Sequence, residues 1–377
     1  MKDRLIYREV EIIKQDLHYY NFIKSIIRLF AVRLRQQVPS IGSYTILDTC
    51  GTGGNGIVFE VADARDGRKY ALKIPYLSYY MIQLFDLSIE HMYDDPYEKI
   101  DEIAEYIDSV SFEVRTSPRA HRTHFGSVGE ERSCLREYYC LEAMKDCKST
   151  VFLCDYGIFD LISRRIRHPD QLRQLSYYVT PLFQGIPLTQ YPGPNIPQVE
   201  RWRIAFTILE KVIDIVDEVH RRGVIHRDLH PGNFLYCKET DEVHLIDFGS
   251  SLANLGISLD TDGENRGSKR FIPPEQFANP RCADARSDYF CIGGLLLHML
   301  TSRSPFQRDR KQDTRPLFAR QTLKKPEQMT EEAFEKTIRF LNRLMSFQRS
   351  ERYQNTEEIR KDLSGLISAV QMTPVHS

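Results

Sequence analysis

Apolar residues open the chain at helical spacing. Leu17, Phe22, Ile23, Ile26, Ile27, Phe30 and Leu34, with charges mostly between them, predict a helix over residues 1 to about 38, closed by Pro39 and Gly42. From Ser43 the period falls to two. Tyr44 to Leu47, Ile57 to Ala62 and Lys69 to Ile74 predict strands, the first two joined by a glycine-rich turn and the last two by Arg65-Asp66-Gly67. Tyr97 to Ile107 returns to helical spacing, with Ile100, Ile103, Ala104 and Ile107 on one face and Asp94 or Asp95 as cap. From Glu131 a further helix places Cys134, Leu135, Tyr138, Leu141 and Met144 together. Val151 to Ile158 and Ser176 to Leu182 predict two strands flanking a basic loop. Val199 to Arg222 predicts a long helix ended at Gly223. Val224-Ile225, Phe234-Leu235 and Val243 to Ile246 predict short buried strands, and residues 331–347 and 356–370 two closing helices.

The 377 residues, 41% hydrophobic and 27% charged, suffice for a large core in one domain or two lobes. A formal net charge of -1 gives no bulk sign of nucleic-acid or membrane binding. The 8 cysteines show no CxxC pair and no disulfide spacing, which predicts reduced thiols and a cytoplasmic protein. No signal peptide opens the chain. The run Phe22 to Leu34 is broken by Lys24, Arg28 and Arg33, so it is not a plain membrane span. It reads as a helical extension packed on the main domain, or as a basic amphipathic surface for a partner or membrane.

Candidate chemistry concentrates between Val224 and Ser250. Apolar neighbours fix Asp228, Asn233 and Asp247 at strand ends and in a loop, and two acids with an amide are oxygen ligands suited to Mg²⁺ shared with substrate phosphates. Upstream, Gly51, Gly53 and Gly56 form a GxGxxG turn, whose backbone N–H groups can approach phosphate. A dinucleotide-binding turn has the same spacing but should open a helix. Here a strand follows, with Val58 in it, and then Ala71-Leu72-Lys73 on the next strand.

His226-Arg227-Asp228 followed by Asn233 and then Asp247-Phe248-Gly249 resembles the catalytic and metal-binding loops of the protein kinases. The resemblance spans about Tyr44 to Leu366. It implies an α+β bilobal kinase-like fold: an N-terminal helical extension (1–40), a β-rich N-lobe (41–182, with an insertion at about 75–130) and a helical C-lobe (183–377). It implies ATP and Mg²⁺ as cofactors and transfer of a γ-phosphoryl group to Ser/Thr hydroxyls of unidentified protein substrates, with autophosphorylation. Asp228 would orient the acceptor hydroxyl, and Asn233 and Asp247 would hold the metal. Lys73, braced by Glu137, would hold phosphates beneath the three glycines. Glu131 and Glu142 are rivals for the Glu137 role. Val58, Ala71, Thr180 and Leu182 would contact the nucleotide. Ser287-Asp288 resembles the start of the central C-lobe helix, with Asp288 holding the catalytic loop, and Glu275 and Arg352 match the family's late ion pair. Arg227 beside Asp228 resembles kinases with a phosphorylated activation segment, for which Ser258, Thr261 and Ser268 are candidate acceptors.

One residue departs from the pattern. His230 stands where Ser/Thr protein kinases usually keep a lysine beside the γ-phosphate, and His-Pro-Gly-Asn also occurs in small-molecule kinases. Either a protonated His230 replaces that cation, or a neutral one only hydrogen-bonds phosphate or Asp228. Gly267-Ser268 with Pro274-Glu275 resembles the substrate-anchoring loop of Ser/Thr kinases and favours a protein substrate. A small-molecule or lipid kinase and a pseudokinase binding module are the alternatives.

Overall fold

The computed structural model describes residues 22–53, 56–75, 96–116, 129–165, 168–193, 195–253, 270–306 and 322–371. The chain divides into two compact units, Met1–Cys134 with Leu153–Leu182, and Leu135–Phe152 with Phe183–Ser377. The Ser258, Thr261 and Ser268 hydroxyls and the Asp94/Asp95 cap lie outside the described residues.

The first unit is built on α1 (Phe22–Gln37), β1 (Ser40–Ile41), β2 (Tyr44–Gly53), β3 (Gly56–Asp63), β4 (Lys69–Pro75), α2 (Pro96–Ser109), β5 (Val110–Thr116), the start of α3 (Gly129–Ala143), β6 (Asp155–Arg165) and β7 (His168–Pro181). Its sheet runs in the order β1-β2-β3-β4-β7-β6-β5, every pair antiparallel. Because side chains alternate between faces, Ile57, Phe59, Val61, Leu72, Ile74 and Val179 fall on one face. There they join Ile26, Ile27, Phe30 and Leu34 of α1 and Ile100, Ala104 and Ile107 of α2 in a single core.

α1 is therefore part of this unit's core. Phe30 meets Phe112 of β5 edge-on at 5.0 Å. Arg33 donates to the Asp108 carbonyl at 2.8 Å, and the Phe112 N–H donates to Gln37 Oε1 at 2.6 Å. Of the two readings of this helix, its described residues follow the packed extension: their apolar face is already covered. Among the described residues no helix is long and apolar enough to cross a membrane.

The insertion is structured where it is described, α2 packing on the core and β5 adding an edge strand to β6. The region read as a basic loop between two short strands is instead the body of a long hairpin. β6 pairs with β7 from Asp155↔Val179 to Arg165↔His168. Ile158, Phe159, Leu161 and Ile162 are all buried, so the apolar positions come in adjacent pairs and not in alternation, and Arg164-Arg165 follow them.

The second unit holds β8 (Ile186–Pro187), α4 (Gln198–Arg221), β9 (Val224–Ile225), β10 (Phe234–Cys237), β11 (Glu242–Leu245), β12 (Leu252–Ala253), α5 (Pro274–Ala278), α6 (Ala285–Thr301), α7 (Glu331–Leu344) and α8 (Thr356–Gln371). α6 is buried along almost its whole length, with Asp284 and Ser287 forming a capping box at its start. A Cβ on Gly293 would stand 2.9 Å from Leu344 Cβ, so this glycine lets α6 approach the end of α7. α4 buries Ala205, Leu209, Val212, Val216 and Val219, and ends where Gly223 takes φ 74° and turns the chain into β9.

Candidate active site

The loop from His226 to Asn233 is held from beneath by Asp288 near the start of α6. Asp288 is fully buried and its two oxygens accept the His226 N–H at 2.9 Å and the Arg227 N–H at 2.8 Å. The His220 ring at the end of α4 adds a third contact at 2.7 Å. Burial opposes the charge on Asp288, but His220, His226 and the loop N–H groups outweigh it and hold the carboxyl below its ordinary range. Arg227 adopts φ 66°, uncommon outside glycine. Its strained backbone is secured by the Gln276 amide, which donates to the Arg227 carbonyl at 2.7 Å, while Arg227 Nε donates to the Ser250 carbonyl at 2.7 Å.

His226 ties the two acidic motifs together. Its Nδ1 accepts the Asp228 N–H at 3.3 Å, and its Nε2 lies 2.5 Å from the Asp247 carbonyl. One acceptor and one donor make it a neutral imidazole carrying its proton on Nε2. Burial also pushes its pKa down. The ring packs 5.2 Å from Phe248, which is wholly buried.

Asn233 closes a short 3₁₀ turn over Pro231–Asn233. Its side-chain Nδ2 donates to the Asp228 carbonyl at 2.9 Å, and its backbone carbonyl accepts the Ile246 N–H at 3.0 Å. β10 pairs with β11 from Phe234↔Leu245 to Cys237↔Glu242, so Asp247 leaves its strand beside the turn that carries Asn233. Asp247 Oδ1 accepts the Gly249 N–H at 2.9 Å. With Nδ2 committed, Asn233 offers an amide oxygen, and Asp247 offers a carboxylate. That donor set fits a hard divalent cation completed by phosphate and water oxygens.

His230 caps the 3₁₀ turn over Pro231–Asn233. Its Nδ1 accepts the Gly232 N–H at 3.0 Å, and its Nε2 stands 3.8 Å from Asp228 Oδ1. A Cβ on Gly232 would come within 2.9 Å of His230 Cε1, so this position suits glycine.

In the first unit, register brings the glycine-turn residues and the lysine into line. Gly51 opposes Val58, Val58 opposes Lys73, and Lys73 opposes Tyr178 across four strands. Two residues along, Ala71 opposes Thr180. Directly opposed residues share a face, so Gly51, Val58, Ala71, Lys73 and Thr180 lie on the side of the sheet away from the core. Gly53 faces Gly56 at the tip, where Gly56 has φ 127° and a side chain would collide with the Ile74 carbonyl. Leu182 follows β7 and is half-buried. Glu137 of α3 is grouped with the second unit, at 2% exposure, whereas Glu142 is exposed and Glu131 lies outside the described side chains.

Glu275 of α5 and Arg352 form a bidentate pair, Nη1 to Oε1 at 2.7 Å and Nη2 to Oε2 at 2.8 Å, with the arginine side chain fully buried. Arg352 also donates to the carbonyls of Ser346 and Arg286, and Ser287 Oγ donates to Glu275. Burial disfavours the Glu275 carboxylate, yet Arg352 and Ser287 hold it below its ordinary range.

The roles of His226, Gln276 and His220 were missed in the sequence. Each acts through backbone carbonyls or N–H groups, or through a buried acid, and spacing carries no sign of such contacts.

The protein kinase domain family matches residues 147–363. The chain is 28% identical over 194 residues to the serine/threonine-protein kinase PknB of Mycolicibacterium smegmatis, covering 50% of this chain and 30% of that protein. It is 35% identical over 102 residues to the serine/threonine-protein kinase PknL of Mycobacterium tuberculosis, covering 27% of this chain and 25% of that protein. The chain thus spans less than a third of these relatives' lengths. Among solved structures, a double mutant of the M. tuberculosis PknI kinase domain superposes with a TM-score of 0.53 at 16% identity, covering 87% of this chain and 97% of that one, which shows the fold. With the family match extending over more than half of the chain and the Asp228–Asn233–Asp247 loops built as described, this protein belongs to the protein kinase superfamily.

Proposed function

We propose that this chain is an ATP- and Mg²⁺-dependent kinase that transfers the γ-phosphoryl group to Ser/Thr hydroxyls of proteins. The observation that carries it is the tie between the two acidic motifs: His226 and Asn233 hold the backbone of Asp228 and Asp247 in one network anchored on buried Asp288. Phosphoryl transfer asks a protein chiefly for positioning and charge stabilisation, and a rigid acid beside a metal-binding amide and carboxylate supplies both.

In this proposal Asp228 orients the acceptor hydroxyl and receives its proton. Asn233 and Asp247 would hold Mg²⁺, which when bound neutralises charge on the phosphate oxygens. Gly51, Gly53 and Gly56 would cover the phosphates, Lys73 would hold them, and Val58, Ala71, Thr180 and Leu182 would contact the nucleotide. Glu137 is the acid we assign to brace Lys73. Its burial favours it over exposed Glu142, because a buried carboxylate requires a partner. His230 would act as a neutral hydrogen-bonding group beside Asp228, since its Nδ1 is an acceptor. The lysine-like charged role is the one this geometry disfavours. The identities named for PknB and PknL favour a protein substrate, and autophosphorylation of the activation segment belongs to the same proposal.

The test is incubation of purified protein with γ-labelled ATP and a general protein substrate, followed by phosphoamino-acid analysis. Label on serine or threonine, dependent on Mg²⁺, is expected. Label on a small molecule or lipid alone would move the chain to another branch of the superfamily. ATP binding with no transfer at all would make it a binding module.

A further inference from the structure

Asp228 follows a residue in an unfavourable backbone conformation. Arg227 has φ 66°, where a Cβ crowds the following carbonyl and non-glycine residues seldom stay. The peptide between Arg227 and Asp228 is planar, so its orientation sets both ψ of Arg227 and φ of Asp228. The second of these angles aims the Asp228 side chain. Whatever holds this one peptide against the strain before it therefore also aims the acid.

Two groups grip it. The His226 ring accepts the Asp228 N–H at 3.3 Å, and the Gln276 amide donates to the Arg227 carbonyl at 2.7 Å. Asp288 takes the Arg227 N–H at 2.8 Å and so acts on the peptide before. His226 belongs to the loop itself and is two residues from Asp228, whereas Gln276 comes from α5, 49 residues beyond Arg227. Gln276 is thus the contact that ties this peptide to a separate element. A carbonyl only accepts, so it is the amide nitrogen that faces Arg227. Both residues are buried, Gln276 at 1% exposure, and a hydrogen bond lost there is not replaced by bulk water.

The support behind Gln276 is firm. Its neighbour Glu275 is clasped by Arg352 through two bonds and by the Ser287 hydroxyl through a third. Arg227 Nη1 also reaches the Pro280 carbonyl just past α5, at 3.5 Å. The same short helix therefore meets both the backbone and the side chain of Arg227.

We propose that Gln276 is a positioning residue for phosphoryl transfer, which aims the Asp228 carboxylate by holding the peptide that precedes it. The inference rests on the reading of Asp228 as the group that orients the acceptor hydroxyl. A small misplacement of such a group is enough to cost about a hundredfold in rate.

The test is a cycle of variants assayed for label transfer from γ-labelled ATP to a general protein substrate. Gln276→Met keeps the length of the side chain without its donor, and Gln276→Asn keeps the donor on a shorter stem. Each is assayed at a temperature where thermal melts show it folded. Both should lose kcat by about ten- to a hundredfold, with KM for ATP unchanged within about twofold. Combined with Asp228→Ala, Gln276→Met should cost no more than about a further twofold, because the carboxylate it aims is gone. A purely structural role would lower the rate by the same factor in both backgrounds, and that result would overturn the proposal. So would a folded Gln276→Met with wild-type kcat beside an impaired Asp228→Ala, which leaves the reading of Asp228 standing. An Asp228→Ala protein as fast as wild type would remove that reading and this proposal together.

Discussion

Asp228 is positioned through its own backbone: its N–H is held by His226 and its carbonyl by Asn233. His230 beside it is the clearest departure from the family pattern. A proton on His230 Nδ1 would oppose the Gly232 N–H, so the hydrogen bond selects the neutral ring. His230→Gln, which keeps a donor without a charge, should then retain the wild-type rate within about threefold. Wild type and His230→Gln should therefore share the same alkaline limb. A pH–rate profile at saturating ATP checks this. A wild-type fall toward alkaline pH that His230→Gln lacks and His230→Lys restores would mean that the charged form works. The sequence exposes the departure itself but not the tautomer, because the deciding contact is a backbone N–H two residues away.

At the scale of elements, the Glu275–Arg352 pair locks α5 to the segment before α8. Removing one partner strands a buried charge, and such losses run to about 3–5 kcal/mol. Arg352→Ala should therefore lower Tm more than Lys73→Ala, since Lys73 is only half-buried. The effect has a pH signature. The folded-state pKa of Glu275 is depressed, so its contribution is present above the ordinary glutamate value of about 4.3 and is lost as the pH falls through the depressed value. The Tm gap between wild type and Arg352→Ala should narrow in acid, as thermal melts from pH 7 to pH 3 would show. This pair and the Asp288 anchor were legible only through the resemblance to the protein kinases, which assigns both positions. The extent of β6 and β7 was not. Adjacent buried pairs, Ile158-Phe159 and Leu161-Ile162, conceal the period of two, and β5, which completes that edge, comes from the segment read as an insertion.

At the scale of the whole molecule, α1 belongs to the core of the first unit. Phe30→Ala should cost about 3–5 kcal/mol, the usual range for a buried phenylalanine. Calorimetry should show a lowered transition for that unit. An unchanged thermogram would mean that α1 is dispensable. The helix was legible from its period and its packing on the main domain was one of the two readings, but the surface that covers it was not legible, because an amphipathic face reads the same against a sheet, a partner or a membrane. The central claim is that this fold transfers phosphate through Asp228, and the most direct measurement is the rate of label transfer from γ-labelled ATP by wild type and Asp228→Ala of matched melting temperature. The account predicts Mg²⁺-dependent transfer to serine or threonine by wild type, reduced roughly 10²–10⁴-fold in the variant. A folded Asp228→Ala protein that transfers phosphate as fast as wild type would contradict it.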